Sequence, residues 1–200
     1  MQERETVVDL MRDYILAVDA SSSMAMKLPD GRTRWASVAE AAFGLAMAIE
    51  ELDPDGIEVY LFASKVNHLG SATAQTVAEL FEKNKPFGST NLAGLLNTVL
   101  LQKWQPEVPL TLLVVTDGQP DDRAAAAQAL IAATKRMDRD EQLAVSFVQV
   151  GTDEGAANFL KFLDDELVPM GAKFDVVDTF PATAFGDRSI EDLLKAAITD

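Results

Sequence analysis

Cysteine is absent from the 200 residues, so no disulfide staples the fold and no thiolate is available for zinc. Histidine occurs once, at His68, which leaves no second imidazole to build a site with it. No apolar run approaches the roughly 18 residues that a membrane span needs. The start, Met1-Gln2-Glu3-Arg4-Glu5, is charged and no apolar signal segment follows it. No Asn-x-Ser/Thr glycosylation acceptor occurs, and no Gly-x-x-x-x-Gly-Lys-Ser/Thr stretch exists to cradle a nucleotide. Positive charge is scarce: 17 Lys+Arg face 32 Asp+Glu, for a net charge of -15. Phosphate backbones repel such a surface, so a nucleic-acid partner is not expected. A cation or a basic protein patch suits it better, and a plain solvated surface explains it equally well. The expectation is a soluble, cytoplasmic protein.

What is present is apolar material in quantity, 48% of the chain, and a regular alternation of two patterns. Tyr14 to Val18, Ile57 to Phe62, Leu110 to Val115 and Leu143 to Val150 are near-continuous apolar runs, the signature of strands buried on both faces. Val66 to Leu69 reads as a short strand paired back on an edge, and Phe174 to Val177 as a last strand. Between them lie helical patterns. Trp35, Val38, Ala39, Ala42, Leu45, Ala46, Ile49 and Leu52 fall on one face, stopped by Asp53-Pro54-Asp55-Gly56. Further helices are expected over Thr73 to Lys83, from Leu92 past Val99, from an Asp121 cap to about Met137, from about Gly155 to Glu166, and around Ile190 to Ile198. Trp35 and Trp104 read as packing residues. No repeat or linker breaks the chain, so residues 1–200 form one domain, with 1–13 as a polar lead-in. The fold class is α/β: a doubly wound, mostly parallel sheet with one short antiparallel edge strand and helices on both faces.

In such sheets ligands gather at the carboxyl ends of strands, near the point where strand order reverses. The first strand ends in Asp19-Ala20-Ser21-Ser22-Ser23. In extended chain, residues i, i+2 and i+4 point the same way, so Asp19, Ser21 and Ser23 can face one point. A second loop brings Thr90 within Gly88-Ser89-Thr90-Asn91. A third brings Asp117 within Thr116-Asp117-Gly118 at the end of the Leu110 strand. Taken singly, the serines could cap a helix and Asp117-Gly118 could be a turn. Taken together, they are hard oxygen donors of the kind that magnesium, manganese or calcium accepts.

These three motifs, in this order and spacing, resemble the von Willebrand factor A domain with its metal-ion-dependent adhesion site, over nearly the whole chain. One position departs from the pattern: Ser22 stands where the family often has Gly. The resemblance implies that Ser21, Ser23 and Thr90 bind a divalent cation directly, with magnesium expected and manganese or calcium also suited. It implies that Asp19 and Asp117 act mainly through water or hydrogen bonds. It further implies a non-catalytic module whose metal takes a Glu or Asp from a partner protein. Bacterial cytosolic single-domain members are similar in size, some associated with tellurite-resistance or chemical-stress gene clusters and others working beside ATPases. Lys27, Arg32, Arg34 and Arg123 flank the metal loops, and a basic rim would favour an acidic partner segment.

The competing class is a magnesium-dependent phosphohydrolase or phosphotransferase with Asp19 as nucleophile. Phosphatases of the haloacid-dehalogenase type need an acid two residues on to protonate the leaving group, and Ser21 stands there. A receiver domain would need a Lys at a later strand end, and none follows the Leu110 or Leu143 strand.

Overall fold

The structure, a computed structural model, describes residues 12–52 and 57–181. One six-stranded sheet organises them, in the order β3-β2-β1-β4-β5-β6. The strands are β1 (Asp13–Asp19), β2 (Ile57–Phe62), β3 (Val66–Ala72), β4 (Leu110–Thr116), β5 (Leu143–Gln149) and β6 (Val177–Pro181). All neighbours are parallel except the β2–β3 edge hairpin. The helices are α1 (Arg34–Leu52), α2 (Ala74–Lys83), α3 (Leu92–Leu96), α4 (Arg123–Thr134) and α5 (Glu154–Glu166).

The period of two along each central strand sorts its side chains onto two cores. From β1, Ile15 and Ala17 join Leu112 and Val114 of β4 beneath α3, α4 and α5. Tyr14, Leu16 and Val18 join Leu113 and Val115 on the opposite face, beneath α1 and α2. Helices on both faces explain why these strands carry no polar alternation. On α1, Val38, Ala42 and Ala46 recur every four residues and are buried. Trp35 lies against Phe81 of α2, with ring centroids 4.6 Å apart, and its indole N–H donates to the Phe81 carbonyl. Trp35 is partly buried and Trp104 buried, as expected of packing residues. Beyond α3 the helix widens to a π-helical stretch, Asn97–Lys103, closed by Trp104 N–H donating to Val99 O.

Several boundaries differ from the sequence expectation: the edge strand runs on from Leu69 to Ala72 and is no shorter than the central strands, and α4 ends at Thr134 rather than near Met137. Asp13 already belongs to β1, because its N–H donates to Pro109 O at the start of the β1–β4 ladder. The last strand begins at Val177 and runs to Pro181, so Phe174 to Val176 precede it; only from Val177 does the chain come into register with Val145 of β5. Asp122, not Asp121, caps α4 by accepting from Ala125 N. The Asp53-Pro54-Asp55-Gly56 stop, the expected closing helix around Ile190 to Ile198 and residues 1–11 lie outside the described residues.

The consequence for function is positional. β1 continues into β2 on one side, and β4 continues into β5 on the other. The order in which strands are added therefore reverses between the parallel neighbours β1 and β4, and the crevice at their carboxyl ends is where such folds place ligands.

Candidate metal centre

β1 delivers Asp19 into that crevice with no exposed surface. Its carboxylate is tied on both oxygens. Oδ1 accepts from Ser21 N at 2.8 Å, an Asx turn that reverses the chain. Oδ2 accepts from the Thr116 hydroxyl at 2.7 Å, a bond that links the ends of β1 and β4. The turn sets Ser21 Oγ 2.9 Å from Ser23 Oγ. Ser23 in turn donates to Asp117 Oδ1 at 2.7 Å. A continuous hydrogen-bonded run thus joins Ser21, Ser23 and Asp117, residues almost a hundred positions apart.

Thr90 reaches the same hollow. A β-carbon placed on Gly118 would sit 3.6 Å from Ser23 Oγ and 4.0 Å from Thr90 Oγ1. Glycine there keeps open the space that the two hydroxyls border. Thr90 is held from behind by Asp121, which accepts from Thr90 N at 3.1 Å and from Ser89 Oγ at 2.6 Å. Asp121 N–H returns a bond to Thr90 O. This explains why Asp122 rather than Asp121 caps α4: Asp121 is occupied joining the second loop to the third.

Ser22 also has a task that the sequence did not reveal. Its hydroxyl accepts from Gly88 N at 2.9 Å and its N–H donates to Gly88 O at 3.0 Å. Phe87 N–H donates to Ala20 O alongside. The Ser22 hydroxyl therefore adds a side-chain bond to the backbone clasp between the first and second loops. Gly88 itself has φ 96°, and a β-carbon there would fall 2.6 Å from Ser64 Oγ, so the close approach needs glycine.

Electrostatically, the centre holds two buried carboxylates side by side. Burial pushes the Asp19 carboxyl up from 3.8 to about 6, with Asp117 adding a smaller push, against hydrogen bonds from Thr116 and Ser21 that pull it down. Asp117, equally buried, is paired with Arg34, whose Nη1 donates to Oδ2 at 2.8 Å. Among the described residues no three His or acidic side chains gather into a metal cluster. The donors here are instead hydroxyls backed by carboxylates, a set that a small hard dication accepts and that its charge would relieve.

The flanking basic residues divide. Arg34 is not on the rim as expected; only 14% of its side chain is exposed, because the buried Asp117 carboxylate draws it inward. Arg32 is exposed and bridges Asp30 and Glu40. Arg123 bonds to Gln119 and lies over the Phe159 ring. Lys27 is exposed in the turn, where its backbone bridges to Thr33. His68 stacks on Tyr60 and pairs with Glu58 across the edge hairpin, away from the centre.

No family model matches the sequence, and no curated protein does. Solved structures do resemble it. The chain is similar to a von Willebrand factor type A protein from Catenulispora acidiphila, at 16% identity and TM-score 0.58, over 88% of this chain and 40% of that one. It is similar to the manganese-loaded TRAP protein of Plasmodium vivax, at 16% identity and TM-score 0.61, over 90% and 72%. It is also similar to an aerotolerance-related membrane protein from Bacteroides fragilis, at 14% identity and TM-score 0.62, over 92% and 99%. At these identities the likeness is one of fold, and the fold is that of a von Willebrand factor A domain.

Proposed function

We propose that this von Willebrand factor A fold is a non-catalytic protein-binding module that works through a divalent cation. Ser21, Ser23 and Thr90 would hold the ion by their hydroxyls, with Asp19 and Asp117 behind them. Magnesium is the expected ion, with manganese or calcium also accommodated by hard oxygen donors. The observation that carries this reading is the convergence of three separate loops on one hollow, with Ser23 hydrogen-bonded to Asp117 and Thr90 facing the same space over Gly118. A similar fold that is manganese-loaded, in the Plasmodium vivax protein, supports it.

The bound ion would supply one thing, a concentrated positive charge with an open position for an oxygen ligand. The chain's own residues do the rest. Neutral hydroxyls leave most of that charge uncompensated, so a carboxylate from a partner's Asp or Glu is attracted. The Asx turn at Asp19 and the Ser22–Gly88 clasp fix the hydroxyl positions in advance, which lowers the ordering cost of binding. Arg32, Arg123 and Lys27 remain as candidates for a basic rim against an acidic segment.

Asp19 is poorly placed as a phosphoryl acceptor. It has no exposed surface and both of its oxygens already accept hydrogen bonds. Among the described residues no helix is long and apolar enough to cross a membrane. A cytoplasmic site of action, in a stress-response or ATPase-associated assembly, belongs to the same proposal. The test is a pull-down in magnesium against EDTA, with wild type and Ser23→Ala side by side. Partners released by EDTA and missing from Ser23→Ala are expected. Identical captures under all conditions would overturn the reading.

A further inference from the structure

We infer that Arg34 is an internal counter-cation that competes with the metal for Asp117 and thereby sets how tightly the centre loads. The inference rests on the metal reading above and concerns this chain's own charge balance.

Arg34 is built into place. It is the first residue of α1, and its N–H donates to Met26 O at 2.9 Å, which fixes the start of the helix beside the metal loop. Its guanidinium lies against the backbone of Gly151, just beyond β5. A β-carbon on Gly151 would fall 3.0 Å from Arg34 Nε and 3.2 Å from Nη2, and Gly151 has φ 81°. Nε itself is buried with no hydrogen-bond partner among the described residues. A buried donor left unpaired is costly, and the ion pair between Nη1 and the buried Asp117 carboxylate is the interaction set against that cost. Asp117 then has one oxygen on Ser23 and the other on Arg34.

The charges follow. Without metal, Arg34 is the cation hydrogen-bonded to Asp117, and removing it leaves a carboxylate buried without a counter-charge. With metal, a dication and a guanidinium face two carboxylates, and like charges near one another weaken each other's binding. Arg34 therefore holds the metal-free centre together and lowers its affinity for the ion. It also leaves the loaded centre positive, the condition that favours an incoming carboxylate.

The experiment titrates Mn2+ and Mg2+ calorimetrically into chelator-stripped wild type, Arg34→Met, Arg34→Gln and Arg34→Lys. Thermal unfolding is followed in EDTA and in saturating Mn2+. The neutral variants should bind Mn2+ about tenfold more tightly than wild type, since a nearby like charge has gone. Their melting temperature should fall in EDTA and recover with Mn2+ by more than wild type gains. Arg34→Lys, which keeps the charge, should stay near wild type. A Met variant that folds only with Mn2+ would support the inference, and one that folds under neither condition leaves Arg34→Gln to give the same reading. If wild type binds metal and the neutral variants bind it no more tightly, the role of Arg34 is refuted while the metal centre stands. If no protein in the series binds either ion, the metal reading itself fails.

Discussion

The ends of β1 and β4 each place a fully buried carboxylate in the same crevice, and they treat it in opposite ways. Asp19 at β1 is surrounded by neutral donors, the Ser21 amide and the Thr116 hydroxyl. Asp117 at β4 is given a guanidinium. One carboxylate has its charge answered within the chain, and the other has only hydrogen bonds. The difference teaches that the centre is left one positive charge short by construction. On the proposed reading that shortfall is what a dication corrects.

Four experiments break or sharpen this contrast. The largest effect is expected from Asp117→Ala, which takes away the buried carboxylate paired with Arg34; urea unfolding in EDTA should show a loss of about 3 kcal/mol. Asp19→Asn should behave oppositely. It keeps an acceptor for Ser21 N and removes an uncompensated charge, so the metal-free variant should be at least as stable as wild type at neutral pH while losing metal binding. Equal destabilisation by the two substitutions would erase the contrast.

The second concerns pH. The Asp19 carboxyl is pushed up from 3.8 to about 6 in the fold, so the folded state keeps its proton longer than the unfolded chain. Its contribution to stability is therefore complete below 3.8 and lost as pH rises through about 6. Wild type in EDTA should lose up to about 3 kcal/mol relative to Asp19→Asn across that window. A flat difference between the two proteins would show that Asp19 is solvated.

Third, Gly151→Ala forces a side chain into a left-handed backbone position and against Arg34. It should lower stability by about 1–3 kcal/mol and disturb the Arg34–Asp117 pair while leaving the Asp19 hydrogen bonds in place. The fourth and smallest is Ser22→Ala, which removes the acceptor for Gly88 N and should cost about 1 kcal/mol. Metal binding should survive it, because Ser22 clasps the loops without facing the hollow; loss of metal binding would move Ser22 into the donor set.

How far the sequence alone foretold this depends on whether the physics was local. Apolar runs such as Leu110 to Val115 announce doubly covered strands, and the carboxylates that follow the first and the Leu110 runs, Asp19 and Asp117, fall where a parallel sheet puts its ligands. The period of an extended chain predicts that Ser21 and Ser23 converge, but β1 ends at Asp19 and Ser22–Ala25 form a 3-10 helix, so the Asx turn and that helix bring the two hydroxyls together. What stayed hidden depended on pairings distant in sequence. Arg34 looked like a surface residue in a polar turn, and its partner Asp117 is 83 positions away. Asp121 and Asp122 are equivalent as caps by composition; only the approach of Thr90 decides which is free to cap. Ser22 looked like a lost glycine, and its hydroxyl acquires a purpose only when Gly88 is brought opposite. The start of β6 was misplaced for the same reason: register with β5, not residue type, sets it.

The central claim, that hydroxyls from separate loops hold one hard ion, is tested most directly by calorimetric titration of Mg2+ into chelator-stripped wild type and Ser23→Ala, with circular dichroism confirming that both are folded. Saturation at a single ion per chain in wild type, abolished in the variant, is predicted. Absence of binding in wild type, or binding that Ser23→Ala leaves unchanged, would contradict the account.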